Sequence, residues 1–98
     1  MSTENPETDW PFEDPPDVAT ITTKQVIEEN HPILLAAHDE DDGSWQFLCG
    51  TTNATEDARV VSLYFLYRRD PTIGQLSDLP CGWQAWRATA ESPWQRRR

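Results

Sequence analysis

Two strand-length segments on either side of an acidic stretch constrain this chain more than any other feature. "ILLAAH", residues 33–38, is a continuous apolar run, and "SWQFLC", residues 44–49, alternates between apolar and polar positions. That alternation places three side chains on one face: Trp45, Phe47 and Cys49. The intervening "DEDDG" ends in Asp42 and Gly43, a strong hairpin signal because glycine accepts a positive φ and aspartate tolerates one. The sequence therefore predicts a β-hairpin with an acidic tip.

The other regular segments are equally short. "VATIT", "ARVVS" and "GWQAWRA" have strand composition, and the last of these is predicted to be the final strand. A short helix is predicted in "TTKQVIEEN", where Thr22 and Gln25 have capping-box spacing, and another in "LYFLYRR", where Ser62 is the cap. "PTIGQLSDLP" indicates a further turn or short helix, with three apolar contacts: Ile73, Leu76 and Leu79.

These elements predict an α+β domain, a small antiparallel sheet with two or three short helices packed on it. With 98 residues the chain has room for one domain, which we assign to residues 18–92. Residues 1–17 carry six acids, four prolines and no base, so they predict a mobile acidic arm. The basic residues 93–98 predict a frayed tail.

Charge and targeting signals narrow the function classes. The chain has 17 acidic residues against 8 basic ones, a formal charge of -9, and such a surface repels nucleic acid and anionic membranes. The sequence shows neither a signal-peptide pattern nor an apolar stretch of spanning length, which favours a cytoplasmic location. Cys49 and Cys81 lack CxxC spacing, and we expect both to be free thiols in or near the core.

The candidate partner-binding residues are acidic or aromatic. Four carboxylates at the predicted tip would steer a basic protein: Asp39, Glu40, Asp41 and Asp42. Trp10 and Phe12, which lie between prolines, and Trp94 in the tail are candidate anchors for a partner. The alternative for Trp10 and Phe12 is that they pack on their own domain. The arginines near the C-terminus also allow a second interpretation, in which the basic end neutralises the acidic end.

The sequence does not predict an enzyme, a metal site or a cofactor. With Gly43 at the sixth position of an EF-hand loop, the first and twelfth positions are His38 and Cys49, so the pattern fails at both ends. His31, His38 and the two cysteines have no zinc-binding spacing. Two alternatives stay open: a divalent-metal or small-ligand site that uses the tip carboxylates with His38, and a reactive thiol at Cys49 or Cys81.

Residues 18 to about 87 also resemble a family of small bacterial proteins, the immunity protein 33-like family. The resemblance consists of ordered motifs, which here are Gly43, Trp45, Phe47, Gly50, Ser62-Leu63, Asp70-Pro71, and Pro80 with Gly82 and Trp83. Members of this type are predicted to neutralise toxins of polymorphic toxin systems. The resemblance therefore implies a non-enzymatic protein-binding module whose partner is a basic, toxin-like protein, and it supplies no catalytic residue.

Overall fold

A computed structural model describes residues 10–51 and 55–98 and confirms the predicted α+β class. Six strands form one sheet in this part of the chain: β1 (Ala19–Thr23), β2 (Leu35–His38), β3 (Trp45–Leu48), β4 (Ala58–Ser62), β5 (Gln84–Trp86) and β6 (Gln95–Arg97). The same residues include two α-helices and two 3-10 helices: α1 (Lys24–Glu28), α2 (Leu63–Arg69), Thr55–Asp57 and Pro71–Leu76. Among the described helices, none combines the length and the apolar composition that a membrane span requires.

The sheet is mixed, whereas the sequence predicted an antiparallel one. The strand order is β4-β1-β3-β2-β5-β6, and β1 pairs in parallel with β3 while the other neighbours are antiparallel. The predicted hairpin is present, with Leu35 opposite Leu48 and His38 opposite Trp45. It returns β3 into the space between β1 and β2, so β3 runs alongside β1 in the same direction. Strand patterns do not reveal this insertion, because it depends on the path between β1 and β2.

One face of the sheet carries the core. Trp45, Phe47 and Cys49 are buried together, as the alternation predicts, and they cluster with apolar residues of the helical segments: Val26, Leu63, Leu66, Ile73 and Leu76. The opposite face is open. It includes Ile21 and its cross-strand neighbour Val60, which are 38% and 71% exposed.

The two helix caps differ in how well the sequence predicts them. The hydroxyl of Ser62 accepts a hydrogen bond from the Phe65 backbone N–H at 3.1 Å, so the predicted cap of α2 is confirmed. The predicted capping box of α1 is wrong, because Thr22 lies within β1 with its side chain buried, and Thr23 occupies the cap position. Gln25 instead donates its side-chain N–H to Asp57 Oδ2 at 3.1 Å.

Residues 10–17 belong to the domain, contrary to the predicted mobile arm. Phe12 is only 6% exposed, and its ring centroid lies 5.4 Å from that of Trp45. The backbone of this segment also accepts a 2.8 Å hydrogen bond at Pro16 O from Tyr64 N. Burial of a large aromatic side chain offsets the ordering cost of a proline-rich segment. Residues 1–9 of the predicted arm lie outside the described residues.

The predicted frayed tail is also wrong. Residues Gln95–Arg97 form β6, which pairs antiparallel with β5, so "GWQAWRA" does not contain the last strand. The Arg96 guanidinium contacts the Asp78 carboxylate at 2.9 Å and Gln75 O at 2.8 Å. These contacts hold the basic end against the second 3-10 helix and the loop that follows it. The basic composition of the tail did not predict them.

Candidate functional site

The acidic tip is a six-residue connection, residues 39–44, between β2 and β3. The Asp39 N–H donates to Ser44 O at 2.8 Å, and the Gly43 N–H donates back to Asp39 O at 3.0 Å. Gly43 has a φ of 73°, a conformation that glycine adopts without strain. The acidic hairpin tip is thus confirmed, and Gly43 adopts the positive φ that the Asp-Gly pair predicts.

Two of the tip carboxylates are hydrogen-bonded to the loop itself. Asp39 Oδ1 accepts from the Asp41 N–H at 3.0 Å, and Asp42 Oδ1 accepts from the Ser44 N–H at 3.0 Å. The backbone N–H of Ser44, helped by the Ser44 hydroxyl, lowers the pKa of Asp42 from its ordinary value because these bonds favour the charged form. The loop therefore holds its own negative charge in place.

Counter-ions for the tip are missing from the described part of the chain. Ion pairs there join Lys24 to Asp57, Arg59 to Glu28, Arg87 to Asp70 and Arg96 to Asp78, and none includes residues 39–42. Glu40, Asp41 and Asp42 are exposed, and Asp39 is half-buried. The tip is consequently a compact patch of unpaired negative charge.

A second turn packs beside the tip. The turn Pro80 to Trp83 is closed by a 3.1 Å hydrogen bond from Trp83 N to Pro80 O, and Gly82 has a φ of 87°. Gly82 donates its N–H to His38 O at 2.7 Å, which joins this turn to the end of β2. The Glu40 carboxylate covers Gly82 so closely that a Cβ there would lie 3.2 Å from Glu40 Oε1.

His38 connects the two turns through its side chain. Its ring is stacked on Trp45, with centroids 3.8 Å apart and planes 11° from parallel. Nδ1 lies 2.7 Å from Leu79 O, and Nε2 lies 3.7 Å from the Sγ of Cys81. Cys81 is exposed, so the expectation that it lies in or near the core is wrong, whereas Cys49 is fully buried.

The predicted aromatic anchors pack against their own domain. Phe12 belongs to the core, so it is not available to a partner, and Trp10 is half-buried against the ring of Tyr67. Trp10 also donates its indole N–H to Asp14 O at 2.6 Å. The interpretation that the two side chains pack on their own domain is therefore confirmed.

Trp94 has a comparable structural role. The Arg87 guanidinium lies 4.1 Å from the centre of its ring, and Arg87 itself is only 4% exposed. Arg87 also contacts Asp70 Oδ2 at 2.8 Å and Ile33 O at 2.9 Å. Arg87 and Arg96 therefore pair with Asp70 and Asp78, and no ion pair between the C-terminal arginines and the acidic N-terminal end is seen among the described residues.

Sequence reasoning missed the open face of the sheet. Strand pairing places Leu35 and Leu48 opposite each other on this face, beside Trp86. Ile21 also lies there, because β1 turns Thr20 and Thr22 toward the core. The alternation of β1 predicts that Ile21 faces the opposite side from Thr20 and Thr22. It does not predict that the threonines are the buried residues, because that depends on the tertiary fold.

The described residues contain no group of three His, Cys, Asp or Glu side chains arranged to hold a metal ion. In particular, both nitrogens of His38 lie against other partners, Nδ1 at Leu79 O and Nε2 at the Cys81 sulfur. The metal-binding alternative for the tip therefore gains no support from the geometry.

Comparisons with protein-family models, with curated proteins and with solved structures find no match to this chain. The immunity protein 33-like resemblance accordingly stays a prediction from the sequence motifs.

Proposed function

We propose that this protein is a non-enzymatic binding module that recognises a basic protein surface in the bacterial cytoplasm, as the resemblance to immunity proteins implies. The observation that carries the proposal is the tip, where residues 39–42 are four adjacent carboxylates without a cationic partner in the described structure. A basic protein of toxin type has the complementary charge.

The arrangement of the tip favours steering over stabilisation of the fold. Like charges on neighbouring residues repel one another, and exposed charges contribute little to folding even when they are paired. Their fields add at distances shorter than the Debye length, about 8 Å at physiological ionic strength. A basic surface that approaches the tip therefore meets the summed charge of the loop, which raises the rate of productive encounter.

The open sheet face offers apolar area on the same two strands that carry this charge, although Leu35 and Leu48 pair at the end of the hairpin farthest from the tip. β2 and β3, the strands that carry the tip, contribute Leu35 and Leu48, and Ile21 and Val60 extend the face toward the sheet edge. Protein interfaces combine an apolar centre with a polar rim. In this proposal Ile21 and Val60 replace the aromatic anchors expected from the sequence, and the tip supplies the charged rim.

The test compares two variants of equal net charge. The tip variant carries D39N, E40Q, D41N and D42N, which keep the side-chain shapes and the acceptor oxygens of Asp39 and Asp42. The matched variant carries four exposed changes elsewhere: E13Q, E29Q, E56Q and E91Q. Each protein is used to capture partners from a lysate of the source cells at low and high salt, and the captured protein is then purified.

We expect the matched variant to retain a basic protein that the tip variant loses. Stopped-flow association with that purified protein should be about tenfold slower for the tip variant at low salt, and the difference should shrink at high salt. Equal rates for the two variants would show that the location of the charge is irrelevant and would remove the steering role. A Val60→Arg variant that binds as tightly as wild type would remove the sheet face from the interface.

A further inference from the structure

Cys81 and His38 bring a thiol and an imidazole together in a pair that the proposed binding role does not use. The thiol is exposed, and its sulfur lies 3.7 Å from His38 Nε2. The other cysteine, Cys49, is fully buried and has no access to solvent. The described structure thus presents one thiol to small molecules, and that thiol has an imidazole beside it.

The hydrogen bonds determine which nitrogen faces the sulfur. Leu79 O can only accept a hydrogen bond, so His38 Nδ1, 2.7 Å away, carries the proton. In neutral imidazole the other nitrogen, Nε2, then holds a lone pair, and this lone pair is directed at Cys81. A base oriented by a third group, within reach of a nucleophile, is the arrangement that activates cysteine in thiol chemistry.

Backbone contacts hold both members of the pair. The backbone carbonyl of His38 accepts from Gly82 N at 2.7 Å, and the backbone N–H of His38 donates to Trp83 O at 3.1 Å. These two bonds join the end of β2 directly to the turn that contains Cys81. The His38 ring is also stacked on Trp45, which is 1% exposed and belongs to the core. The pair is therefore preorganised by the fold.

We propose that Cys81 is a site of mixed-disulfide formation with small cationic disulfides, and that His38 is its base. The thiol proton moves to His38 Nε2 as the Cys81 sulfur attacks one sulfur of the small disulfide. A new S–S bond forms, the S–S bond of the small disulfide breaks, and the departing sulfur takes the proton from His38. Cys81 is oxidised and the small disulfide is reduced, so no further oxidant is required.

The preference for a cationic reagent follows from the neighbouring charge. Glu40 covers Gly82, the residue after Cys81, and its carboxylate belongs to the unpaired acidic tip. Because this carboxylate lies beside the residue that follows Cys81, its charge acts at short range on a small disulfide that approaches the sulfur. Ammonium groups on the reagent gain Coulomb attraction there, whereas carboxylate groups on the reagent are repelled.

The experiment measures disulfide exchange at Cys81 in a Cys49→Ser parent, which leaves one thiol in the chain. The probes are cystamine, which is cationic, and dithiodiglycolate, which is anionic; mass spectrometry locates the adduct. The reference is a free peptide of residues 77–84, which contains Cys81 without His38. We expect the folded parent to react with cystamine at least about tenfold faster than the peptide at pH 7.

Two variants separate the base from the charge. His38→Asn keeps an N–H near the position of Nδ1, so it can still bond Leu79 O, but it removes Nε2; the rate should fall about tenfold for both probes. Glu40→Gln should leave the His38 effect intact and reduce the preference for cystamine over dithiodiglycolate, relative to the same ratio for the peptide.

Several outcomes would overturn the proposal. A parent that reacts no faster than the peptide would exclude activation, and this comparison does not require that His38→Asn fold. A folded His38→Asn protein with an unchanged rate would exclude His38 as the base. A cystamine preference equal to that of the peptide would exclude the cationic selectivity. The binding test above uses variants with both cysteines and His38 intact, so failure of either proposal is distinguishable from failure of the other.

Discussion

The C-terminal arginines and the acidic hairpin tip use charge in opposite ways. Arg87 and Arg96 each contact a carboxylate directly, at 2.8 Å to Asp70 and 2.9 Å to Asp78. The carboxylates of residues 39–42 have no cationic contact in the described structure. The chain has 17 acidic residues and only 8 basic ones, so some carboxylates must lack a cationic partner. The buried Arg87 pair should stabilise the fold, whereas the unpaired charge of the tip should change the rate of association with a partner.

Arg87→Ala should have the largest effect on stability of any change in this comparison. Arg87 donates to Asp70, Ile33 O and Ala90 O and is stacked on Trp94, and its removal leaves Asp70 mostly buried without a cation. We expect the free energy of unfolding to fall by about 3 kcal/mol or more, as for other broken buried pairs. Urea denaturation followed by tryptophan fluorescence measures this change.

Arg96→Ala is the matched control for that measurement. The side chains of Arg96 and its partner Asp78 are 32% and 77% exposed, so solvent screens the pair. We expect a loss of about 1 kcal/mol or less. Equal losses for the two arginines would contradict the distinction between a buried pair and a surface pair in this region.

Gly82→Ala tests whether backbone conformation, rather than charge, stabilises the region of the tip. Gly82 has a φ of 87°, and a side chain in this conformation costs about 1–2 kcal/mol. The nearest atom to the new Cβ is the end of the Glu40 side chain, which can swing away, so the steric cost is small. We expect urea denaturation to show a loss of about 1–2 kcal/mol.

The four-residue tip variant provides the comparison for Gly82→Ala. Its unpaired charges contribute little to folding, so its free energy of unfolding should differ from wild type by less than about 0.5 kcal/mol. A loss as large as that of Gly82→Ala would mean that the tip charges stabilise the fold, and the contrast between the two regions would fail.

Local patterns predicted one of these regions better than the other. The hairpin and its acidic tip follow from neighbouring residues, since alternation and an Asp-Gly pair act within about ten positions. The contacts of Arg87 depend on distant residues, with Ile33 54 positions away. The sequence therefore predicted a basic tail but did not show which acids its arginines would meet.

The same separation explains what was missed at the candidate site. His38 and Cys81 are 43 positions apart and meet only because β5 pairs with β2. For Phe12 the sequence left two alternatives, packing on its own domain or binding to a partner. The structure shows the first, because Phe12 is buried in the core. No spacing rule connects such residues, whereas the alternation of residues 44–49 predicted correctly which side chains of β3 face the core.

Within the tip, the smallest expected effect is the pH dependence contributed by Asp42. The Ser44 N–H and hydroxyl lower the pKa of Asp42 in the folded protein, so the charged form is favoured by folding. This contribution is present above the unfolded pKa of aspartate, about 3.9, and is lost as the pH falls through the lower folded pKa. Asp42→Asn keeps an acceptor oxygen but cannot titrate, so its unfolding midpoint in urea should fall slightly less than that of wild type between pH 6 and pH 3.

Asp41→Asn is the control for this prediction, because it retains the bond between Asp42 and Ser44 and should retain this contribution. NMR titration of the Asp42 carboxyl carbon measures the shift directly, and a folded pKa at or above the ordinary value would contradict the proposed role of Ser44.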